Sequence, residues 1–253
     1  MKTILFDLDG TIVDSGPGIT KCAQYALAFF GIEEPELSNL RFFVGPPLMD
    51  SFMGHYGFSE EKAKLAVGKY RERYQKTGIF ECELYPGVCR MLKNLKEAGH
   101  KIALASSKPE SSCETILNHF EIRKYFDEVV GAEMNGPRNA KKDVLLEALR
   151  RLDKKAQDCV LVGDTRFDAL GAEALGMECI GVSYGYGTKE ELQNAGAKPV
   201  LSNIAFLFAI SLISNLTAYS FINSITPVGA KSKQSKNSSK VPFKRIFLIS
   251  SSE

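Results

Sequence analysis

The chain has 253 residues, of which 44% are hydrophobic and 25% charged, and this composition excludes collagen-like, disulfide-rich and wholly disordered proteins. The formal net charge of +2 is too small to indicate a nucleic-acid-binding protein. This charge is unevenly distributed, because residues 229–253 hold six basic groups and one acid, while residues 1–228 hold 26 basic and 29 acidic groups. The basicity therefore belongs to the C-terminal tail.

Five short apolar runs predict the strands of a parallel sheet. They are Thr3–Phe6, Lys101–Ala105, Glu128–Gly131, Cys159–Gly163 and Cys179–Ser183. Apolar residues recur at helical spacing in four stretches between the later runs, namely Val88–Ala98, Glu110–Phe120, Lys141–Leu152 and Asp168–Leu175. Strands that alternate with helices in this way indicate an α/β fold, a Rossmann-like parallel sheet with helices on both faces.

The interval between the first strand and Tyr85 breaks this alternation, since it shows helical patterning and no convincing strand. Helices are predicted at Ile19–Phe30 and Glu60–Gln75, and Pro46-Pro47 interrupts a third candidate after Leu37–Val44. We therefore expect residues 15–82 to form an inserted helical cap, and residues 1–14 and 83–203 to form the α/β core. The aromatic residues of the insert are expected in the core of the cap: Phe29, Phe30, Phe42, Phe43 and Phe52.

The last fifty residues have a different composition. Residues 204–228 form an apolar segment, in which 14 of the 19 residues of Ile204–Ile222 are apolar. Hydropathy alone allows a membrane span here, whereas polar residues on every helical face favour a final strand at Val200-Leu201 and a core helix starting near Asn203. Lys and Ser dominate residues 229–253, which predicts a disordered tail, and an altered reading frame would produce such an end as well.

The strongest chemical signal is the sequence Asp7-Leu8-Asp9-Gly10-Thr11, which follows the first strand directly. Open α/β sheets bind ligands at the carboxyl edge of their strands, and strand alternation would direct Asp7 and Asp9 into one crevice. Carboxylates this close favour a hard cation such as Mg²⁺ between them. Taken alone, the motif is equally typical of an acidic turn that caps a helix.

Other polar residues follow the later strands and should reach the same edge. Asp164 and Asp168 follow the fourth strand, so four carboxylates are expected to converge on a divalent metal, although either residue could instead cap a helix. Ser106 ends the second strand, where its hydroxyl and the next backbone N–H groups could hold a phosphate oxygen. Lys141 opens a helix, where a cation opposes the helix dipole, and an acidic metal site nearby gives it an electrostatic reason to be there.

The order of these motifs resembles that of the haloacid dehalogenase-like phosphohydrolases over about residues 1–203. A helical insertion directly after the first motif is similar to the phosphoglycolate phosphatase-like branch of that family. Finer features resemble its 5′-nucleotidase-like bacterial members: DSGPGI at Asp14–Ile19, GPP at Gly45–Pro47, the spacing from Arg138 to Lys141, and GVSYGYGTKEEL at Gly181–Leu192.

The resemblance implies a Mg²⁺-dependent phosphatase that hydrolyses a small phosphorylated metabolite, with phosphoglycolate or a nucleoside 5′-monophosphate as leading substrates. Asp7 would attack phosphorus to form an aspartyl-phosphate, and Asp9 would act as general acid and then as general base. Asp9 argues against dehalogenation, which needs no acid two residues beyond the nucleophile. The cap would close over the site on hinges near Asp14–Pro17 and Tyr85–Gly87.

The resemblance also implies the ligands of the metal and of the phosphoryl group. Mg²⁺ would be held by Asp7, the backbone carbonyl of Asp9, and Asp164, and Asp168 would orient these ligands. The phosphoryl oxygens would be bound by three residues: Ser106, Ser107 and Lys141. From the cap, either Arg41 or Arg71 could reach an anionic group of the substrate.

Two alternative functions remain open at this point. A phosphomutase of the β-phosphoglucomutase type would use the same residues and differ in what its cap admits. A non-catalytic, membrane-tethered interaction protein would use the apolar C-terminal segment as its anchor. No nucleic-acid partner is expected, and the protein is expected to be a monomer or a homodimer.

The cysteines and histidines receive simpler interpretations. The six cysteines show no CxxC pair, and the first ten residues lack the features of a signal peptide, so a reduced, cytoplasmic setting is expected. His55, His100 and His119 have no metal-ligand spacing and are expected at the surface or at helix ends.

Overall fold

A computed structural model of the chain describes residues 2–133 and 136–203. The predictions for residues 204–253, which are the membrane span or core helix and the disordered tail, lie outside the described residues. Among the described helices, none is both long enough and apolar enough to cross a membrane.

The core is a six-stranded parallel sheet, whose strands are β1 (Thr3–Phe6), β4 (Ile102–Pro109), β5 (Glu128–Ala132), β6 (Cys159–Gly163), β7 (Glu178–Val182) and β8 (Val200–Leu201). Their order in the sheet is β5-β4-β1-β6-β7-β8. The chain adds strands first on one side of β1 and then on the other, so a topological switch point lies at the carboxyl end of β1. Ligands of open α/β sheets bind in the crevice at such a point.

Helices cover both faces of this sheet. They are α4 (Val88–Glu97), α5 (Glu110–His119), α6 (Lys141–Leu152), α7 (Arg166–Glu173) and α8 (Lys189–Asn194). Alternate residues of β1 point to opposite faces, so Phe6 packs in one buried cluster with α4 and α5, and Leu5 packs in another with α6, α7 and α8. The predicted α/β fold with a doubly covered parallel sheet is confirmed.

The insert contains three α-helices, which are α1 (Gly16–Ala28), α2 (Leu48–Tyr56) and α3 (Glu60–Lys76). The third helical candidate, Leu37–Val44, is helical but does not form an α-helix. Leu37–Phe43 is a 3₁₀ helix, and α2 begins only after Pro47, which occupies the N-cap position. The two prolines therefore precede a helix, as proline commonly does, and do not interrupt one.

The expectation that this interval contains no strand was wrong. Strands β2 (Val13–Asp14) and β3 (Glu83–Leu84) pair in antiparallel fashion, with Val13 opposite Leu84, where the insert leaves and rejoins the core. We call this two-stranded ladder the neck. Two residues are too few to give an alternating pattern, which is why the sequence did not reveal these strands.

Most of the insert's aromatic residues pack as predicted, but Phe29 does not. Phe43 and Phe52 are buried with their ring centroids 4.8 Å apart, whereas the side chain of Phe29 is 53% exposed. Phe29 follows the end of α1, and the ammonium of Lys69 lies 4.7 Å from its ring centroid. A cation over an aromatic face is favourable at the surface, so this ring has a partner without burial.

His55 and His119 lie at helix ends, as predicted, whereas His100 is buried and lies outside the helices. His55 is in the last turn of α2, His119 is the last residue of α5, and His100 follows α4. His100 is buried, and its Nδ1 lies 3.3 Å from the carbonyl oxygen of Lys2.

Candidate active site

Asp7 directly follows the central strand β1 and is buried at the carboxyl edge of the sheet. Its backbone N–H donates to the carbonyl of Val162 in β6 (2.9 Å), which continues the ladder one residue past the strand. The chain then turns at Gly10, whose φ is +80°. A Cβ there would overlap the carboxylate of Asp164, so the close approach of the two loops requires glycine at this position.

Three carboxylates meet at this edge. Asp7, Asp164 and Asp168 are all buried, and one oxygen of each lies within 4.8 Å of the others. We call them the carboxylate triad. The ammonium of Lys141, at the start of α6, lies 2.7 Å from Asp7 Oδ1 and 2.7 Å from Asp168 Oδ1, and donates to the carbonyl of Ala105 (2.9 Å).

The charges in the carboxylate triad are only partly balanced. Burial raises the pKa of Asp7 to about 6, because it outweighs the attraction of Lys141, and the charge of Asp168 adds to the rise. Burial also raises the pKa of Asp164, helped by the charges of Asp168 and Asp7. Burial alone would lower the pKa of Lys141, but the carboxylates of Asp168 and Asp7 raise it. Three acids around one ammonium therefore leave an uncompensated negative charge.

Neighbouring groups fix the other two members of the triad. Asp164 accepts from the Thr11 hydroxyl at Oδ1 (3.3 Å) and from the backbone N–H of Tyr186 at Oδ2 (2.8 Å). Asp168 accepts from both the backbone N–H and the hydroxyl of Thr165 at Oδ2 (3.0 and 2.8 Å), which completes a capping box at the start of α7. Asp168 thus caps a helix with one oxygen and faces Lys141 with the other.

Asp9 occupies a different place from the one predicted for it. Its carboxylate is paired with the ammonium of Lys108, at 2.8 and 2.9 Å, and does not belong to the carboxylate triad. The prediction of four converging carboxylates is therefore corrected to three. Strand alternation directs Asp9 toward the edge, but it does not reveal a cation 99 residues away in the chain.

Lys108 was missed by sequence reasoning. It lies in β4, which extends to Pro109 and not only to the predicted Ala105, and its side chain is 6% exposed. Its ammonium also lies 5.1 Å from the ring centroid of Tyr74 in α3. Burial would lower its pKa, but Asp9, Tyr74 and Tyr70 raise it well above the usual range. Its position two residues after Ser106 is the feature of the sequence that could have indicated its place at the site.

The two serines lie where β4 becomes irregular. The pairing of β4 with β5 shifts between Ala105 and Pro109. Ser106 is buried there, and its hydroxyl accepts from the backbone N–H of Lys108 (3.3 Å), while Ser107 is half-buried. Their proposed contact with phosphate remains a prediction.

The two predicted cap arginines have different surroundings. The Arg41 guanidinium carbon lies 5.8 Å from the ring centroid of Tyr186, so this side chain reaches the boundary between insert and core. Arg71 is half-buried in α3. A role for either side chain in substrate binding remains a prediction.

The donor set of the carboxylate triad fits a hard divalent cation. Three buried carboxylates offer oxygen ligands, which Mg²⁺ prefers, and their residual negative charge is the kind that a divalent ion offsets. The raised pKa values of Asp7 and Asp164 show that carboxylate charge is costly here without a cation.

We expect the stabilisation by Mg²⁺ to grow as the pH rises from about 5 to about 7.5. The pKa of Asp7 is raised from 3.8 to about 6, so the metal-free protein loses stability as the pH rises through that range. A bound cation removes this loss. Thermal unfolding with EDTA or excess Mg²⁺ should give a Tm difference on the order of 5 °C at the higher pH and clearly less at the lower.

Asp164→Asn is the matched control for this measurement. It removes one of the repelling charges, so the metal-free variant should melt at or above the wild-type temperature. It should also lose most of the Mg²⁺-dependent rise. A Tm difference that is the same at both pH values, or that survives in Asp164→Asn, would contradict a metal site at the triad.

Buried carboxylates and lysines at the carboxyl edge of a parallel α/β sheet form a site that suits a divalent cation together with an anionic ligand such as a phosphate ester. Comparison with known proteins specifies the family. The family of haloacid dehalogenase-like hydrolases matches residues 4–182, and the chain belongs to this family.

Individual relatives are similar over most of the described chain. A 5′-nucleotidase of Pseudomonas aeruginosa is 42% identical over 75% of this chain and 86% of its own length. Phosphoglycolate phosphatase 1 of the same organism is 29% identical over 80% and 77%. The tyrosine-protein kinase PtkA of Mycobacterium tuberculosis is 37% identical over 74% of this chain but only 63% of its own length.

Solved structures agree with this family. A structure described as a predicted phosphatase from Clostridium acetobutylicum superposes with a TM-score of 0.80 at 41% identity, covering 83% of this chain and 98% of that one. The predicted resemblance to haloacid dehalogenase-like phosphohydrolases, including relatives named 5′-nucleotidase and phosphoglycolate phosphatase, is confirmed, and the chain is a phosphoric monoester hydrolase.

Proposed function

We propose that this protein is a Mg²⁺-dependent phosphatase that hydrolyses small phosphate monoesters through an aspartyl-phosphate on Asp7. The observation that carries the proposal is the carboxylate triad around Lys141, next to the separate ion pair of Asp9 with Lys108. The carboxylate triad suits a cation, and the separate carboxylate of Asp9 suits proton transfer. The named relatives support the reaction class.

Asp7 is the nucleophile in this proposal. Its Oδ1 is held by Lys141 at 2.7 Å, which leaves Oδ2 to attack phosphorus and expel the alcohol. Lys141 lies close enough to offset the charge of the phosphoryl oxygens as the bond breaks. Ser106 and Ser107 lie on the same edge, where they would bind further phosphoryl oxygens.

The metal would be held by Asp7 and Asp164, and, as the family resemblance implies, by the backbone carbonyl of Asp9. When bound, Mg²⁺ supplies positive charge that offsets the charge of the phosphate and of the triad. Asp168 contacts Lys141 and Thr165, so it would orient its neighbours.

Asp9 moves the proton. It would protonate the leaving alkoxide oxygen, which departs as the alcohol, and the resulting carboxylate would then accept a proton from the water that hydrolyses the aspartyl-phosphate. Its position two residues beyond Asp7, with its carboxylate held apart from the triad by Lys108, fits this separate role.

The basic test is release of inorganic phosphate by the purified full chain, with Mg²⁺ and with EDTA. Phosphoglycolate and nucleoside 5′-monophosphates are the leading substrates, because relatives carry names for both activities. Metal-dependent turnover of one such ester is expected. Lack of hydrolysis of any ester in a broad panel would refute the proposal.

We expect Asp9→Asn to slow the hydrolysis of alkyl phosphates by about 10²–10⁴-fold. Its effect on p-nitrophenyl phosphate should be much smaller, because nitrophenolate leaves without needing a proton. Steady-state rates with both esters check this. Equal losses on the two esters would contradict a role for Asp9 as general acid. Asp50→Asn, an exposed aspartate in α2, serves as the control.

The proposal also covers partners and compartment. We propose a small phosphorylated metabolite as a partner of the site, no nucleic acid, a monomer or homodimer, and a cytoplasmic location. The phosphomutase alternative predicts faster isomerisation of a sugar phosphate than release of phosphate. The membrane-tethered alternative predicts that the chain needs detergent and shows no metal-dependent turnover.

A further inference from the structure

The segment from Ser183 to Thr188 contacts both the site and the neck, yet the proposed chemistry does not use it. Its sequence, Ser-Tyr-Gly-Tyr-Gly-Thr, links β7 to α8. We call it the tyrosine loop. It packs so closely on the site that a Cβ on Gly185 would overlap the carboxylate of Asp164 and the carbonyl of Gly10. Glycine therefore allows this loop to lie directly against a member of the carboxylate triad.

Tyr186 is the residue of this loop with contacts on both sides. Its backbone N–H donates to Asp164 Oδ2 (2.8 Å). Its phenol donates to Asp14 Oδ1 (2.5 Å), and its phenol oxygen accepts from the backbone N–H of Gly16 (2.6 Å). Asp14 ends β2, and Gly16 begins α1. A single residue thus joins a carboxylate of the triad to the segment where the chain enters the cap.

The chemistry of the phenol makes this link a strong one. Burial raises the pKa of Tyr186, and the hydrogen bond to Asp14 raises it further, so the phenol stays protonated and donates to a carboxylate. Hydrogen bonds to charged groups are stronger than those between neutral groups. The ring also lies under the guanidinium of Arg41, which belongs to the cap.

The second tyrosine of the loop makes a different contact. Tyr184 donates its hydroxyl to the carbonyl of Thr11 (2.9 Å), and its ring lies 4.8 Å from that of Tyr85. It therefore holds the loop to the turn after β1, whereas the bond to Gly16 is made by Tyr186. This difference makes Tyr184→Phe a matched control.

We propose that Tyr186 is a positioning residue that couples the seating of the cap to the carboxylate of Asp164. The proposal relies on the proposed function only in taking Asp164 as a metal-binding group. The phenol of Tyr186 contacts the neck segment, and its backbone N–H contacts Asp164. A substitution that removes the phenol therefore breaks the contact with the neck segment and keeps the contact with Asp164. A cation that orders Asp164 should stabilise the neck against local opening. By thermodynamic linkage, an ordered neck should raise the affinity for the cation by the same factor.

The test is hydrogen exchange measured by mass spectrometry on wild type, Tyr186→Phe and Tyr184→Phe. Without metal, peptides covering residues 13–20 should exchange about tenfold faster in Tyr186→Phe, since the amide of Gly16 loses its short bond to the phenol (2.6 Å) and keeps only the longer one to Asp14 Oδ1 (3.2 Å). Peptides covering β6 should be unchanged, because the backbone N–H of Tyr186 remains. Tyr184→Phe should leave residues 13–20 close to wild type.

The second arm adds Mg²⁺ alone, without substrate. Exchange at residues 13–20 should slow in wild type and change much less in Tyr186→Phe. Unchanged neck exchange in Tyr186→Phe, an equal change in Tyr184→Phe, or equal effects of Mg²⁺ on wild type and Tyr186→Phe would each overturn the coupling. None of these readouts needs turnover, so they remain informative if the phosphatase proposal fails.

Asp14→Ala provides the same test should Tyr186→Phe fail to fold. It removes the carboxylate partner and keeps Tyr186, so the neck peptides should again exchange faster. The backbone N–H of Gly16 also donates to Asp14 Oδ1 (3.2 Å), so Asp14→Ala removes one acceptor of this amide as well as the partner of the phenol. The decisive readout for this variant is therefore the effect of Mg²⁺ on residues 13–20, which should be much smaller than in wild type. A Mg²⁺ effect on residues 13–20 of Asp14→Ala as large as that in wild type would overturn the proposal.

Discussion

Replacement of Asp7 by Asn should lower phosphate release by at least about a thousandfold. The amide has nearly the same shape as the carboxylate, so it can still accept from Lys141, but it cannot attack phosphorus. The change also removes one of three acids that lie around a single ammonium, and the variant should fold at least as well as wild type without metal. Phosphate release under saturating Mg²⁺ measures the loss.

A trapping experiment separates a lost nucleophile from a distorted site. Wild type mixed with a ³²P-labelled ester and quenched in acid should retain label on the protein, and Asp7→Asn should retain none. Asp50→Asn should behave like wild type in both assays, since Asp50 is exposed in α2. Phosphate release within about tenfold of wild type, or label retained on Asp7→Asn, would show that Asp7 is not the nucleophile.

The sequence was informative wherever a feature repeats along a short stretch. β6 and α6 have the bounds predicted for them, Cys159–Gly163 and Lys141–Leu152. An all-apolar strand and a helix with four or more regularly spaced apolar residues each carry several mutually consistent signals. The two-residue strands β2 and β3 carry none, because their pairing depends on two segments about 70 residues apart that meet only in the folded chain.

The same contrast between local patterns and long-range contacts applies to the residues of the site. The triad was predictable because Asp7 and Asp164 each follow a strand, and all strands of a parallel sheet end at one edge. The partners of these acids were harder to find. Lys108 lies 99 residues from Asp9, and Tyr186 lies 172 residues from Asp14. Neither residue type is unusual for a strand or a loop, so only the contact itself reveals its role.

Charge balance explains why Lys141 and Lys108 must be considered together. Each ammonium is buried, and each is held by carboxylates at less than 3 Å. Lys108 faces one acid, so that pair is neutral, whereas Lys141 faces two of the three acids of the triad. The folded protein therefore carries its excess of negative charge on one side of the site only, which is where a cation belongs.

Removal of Lys141 should consequently have the largest effect on stability. In Lys141→Met the carboxylates of Asp7 and Asp168 lose their partner, and breaking a buried ion pair in this way typically costs about 3–5 kcal/mol of the free energy of unfolding. The adjacent variant Lys142→Met changes an exposed residue of the same helix and should cost little. Urea unfolding of both variants with EDTA near pH 7.5 measures the difference.

The pH dependence of Lys141→Met distinguishes lost charge balance from lost packing. Lys141 now lowers the pKa of Asp7, so without it that pKa should rise beyond about 6. A pKa that is raised in the folded state contributes stability at low pH that is lost as the pH rises. The destabilisation should therefore shrink toward pH 5 and should also shrink when Mg²⁺ is added. A loss of the same size at both pH values and with metal would indicate a packing defect, and the acids would then not be the reason that this lysine is buried.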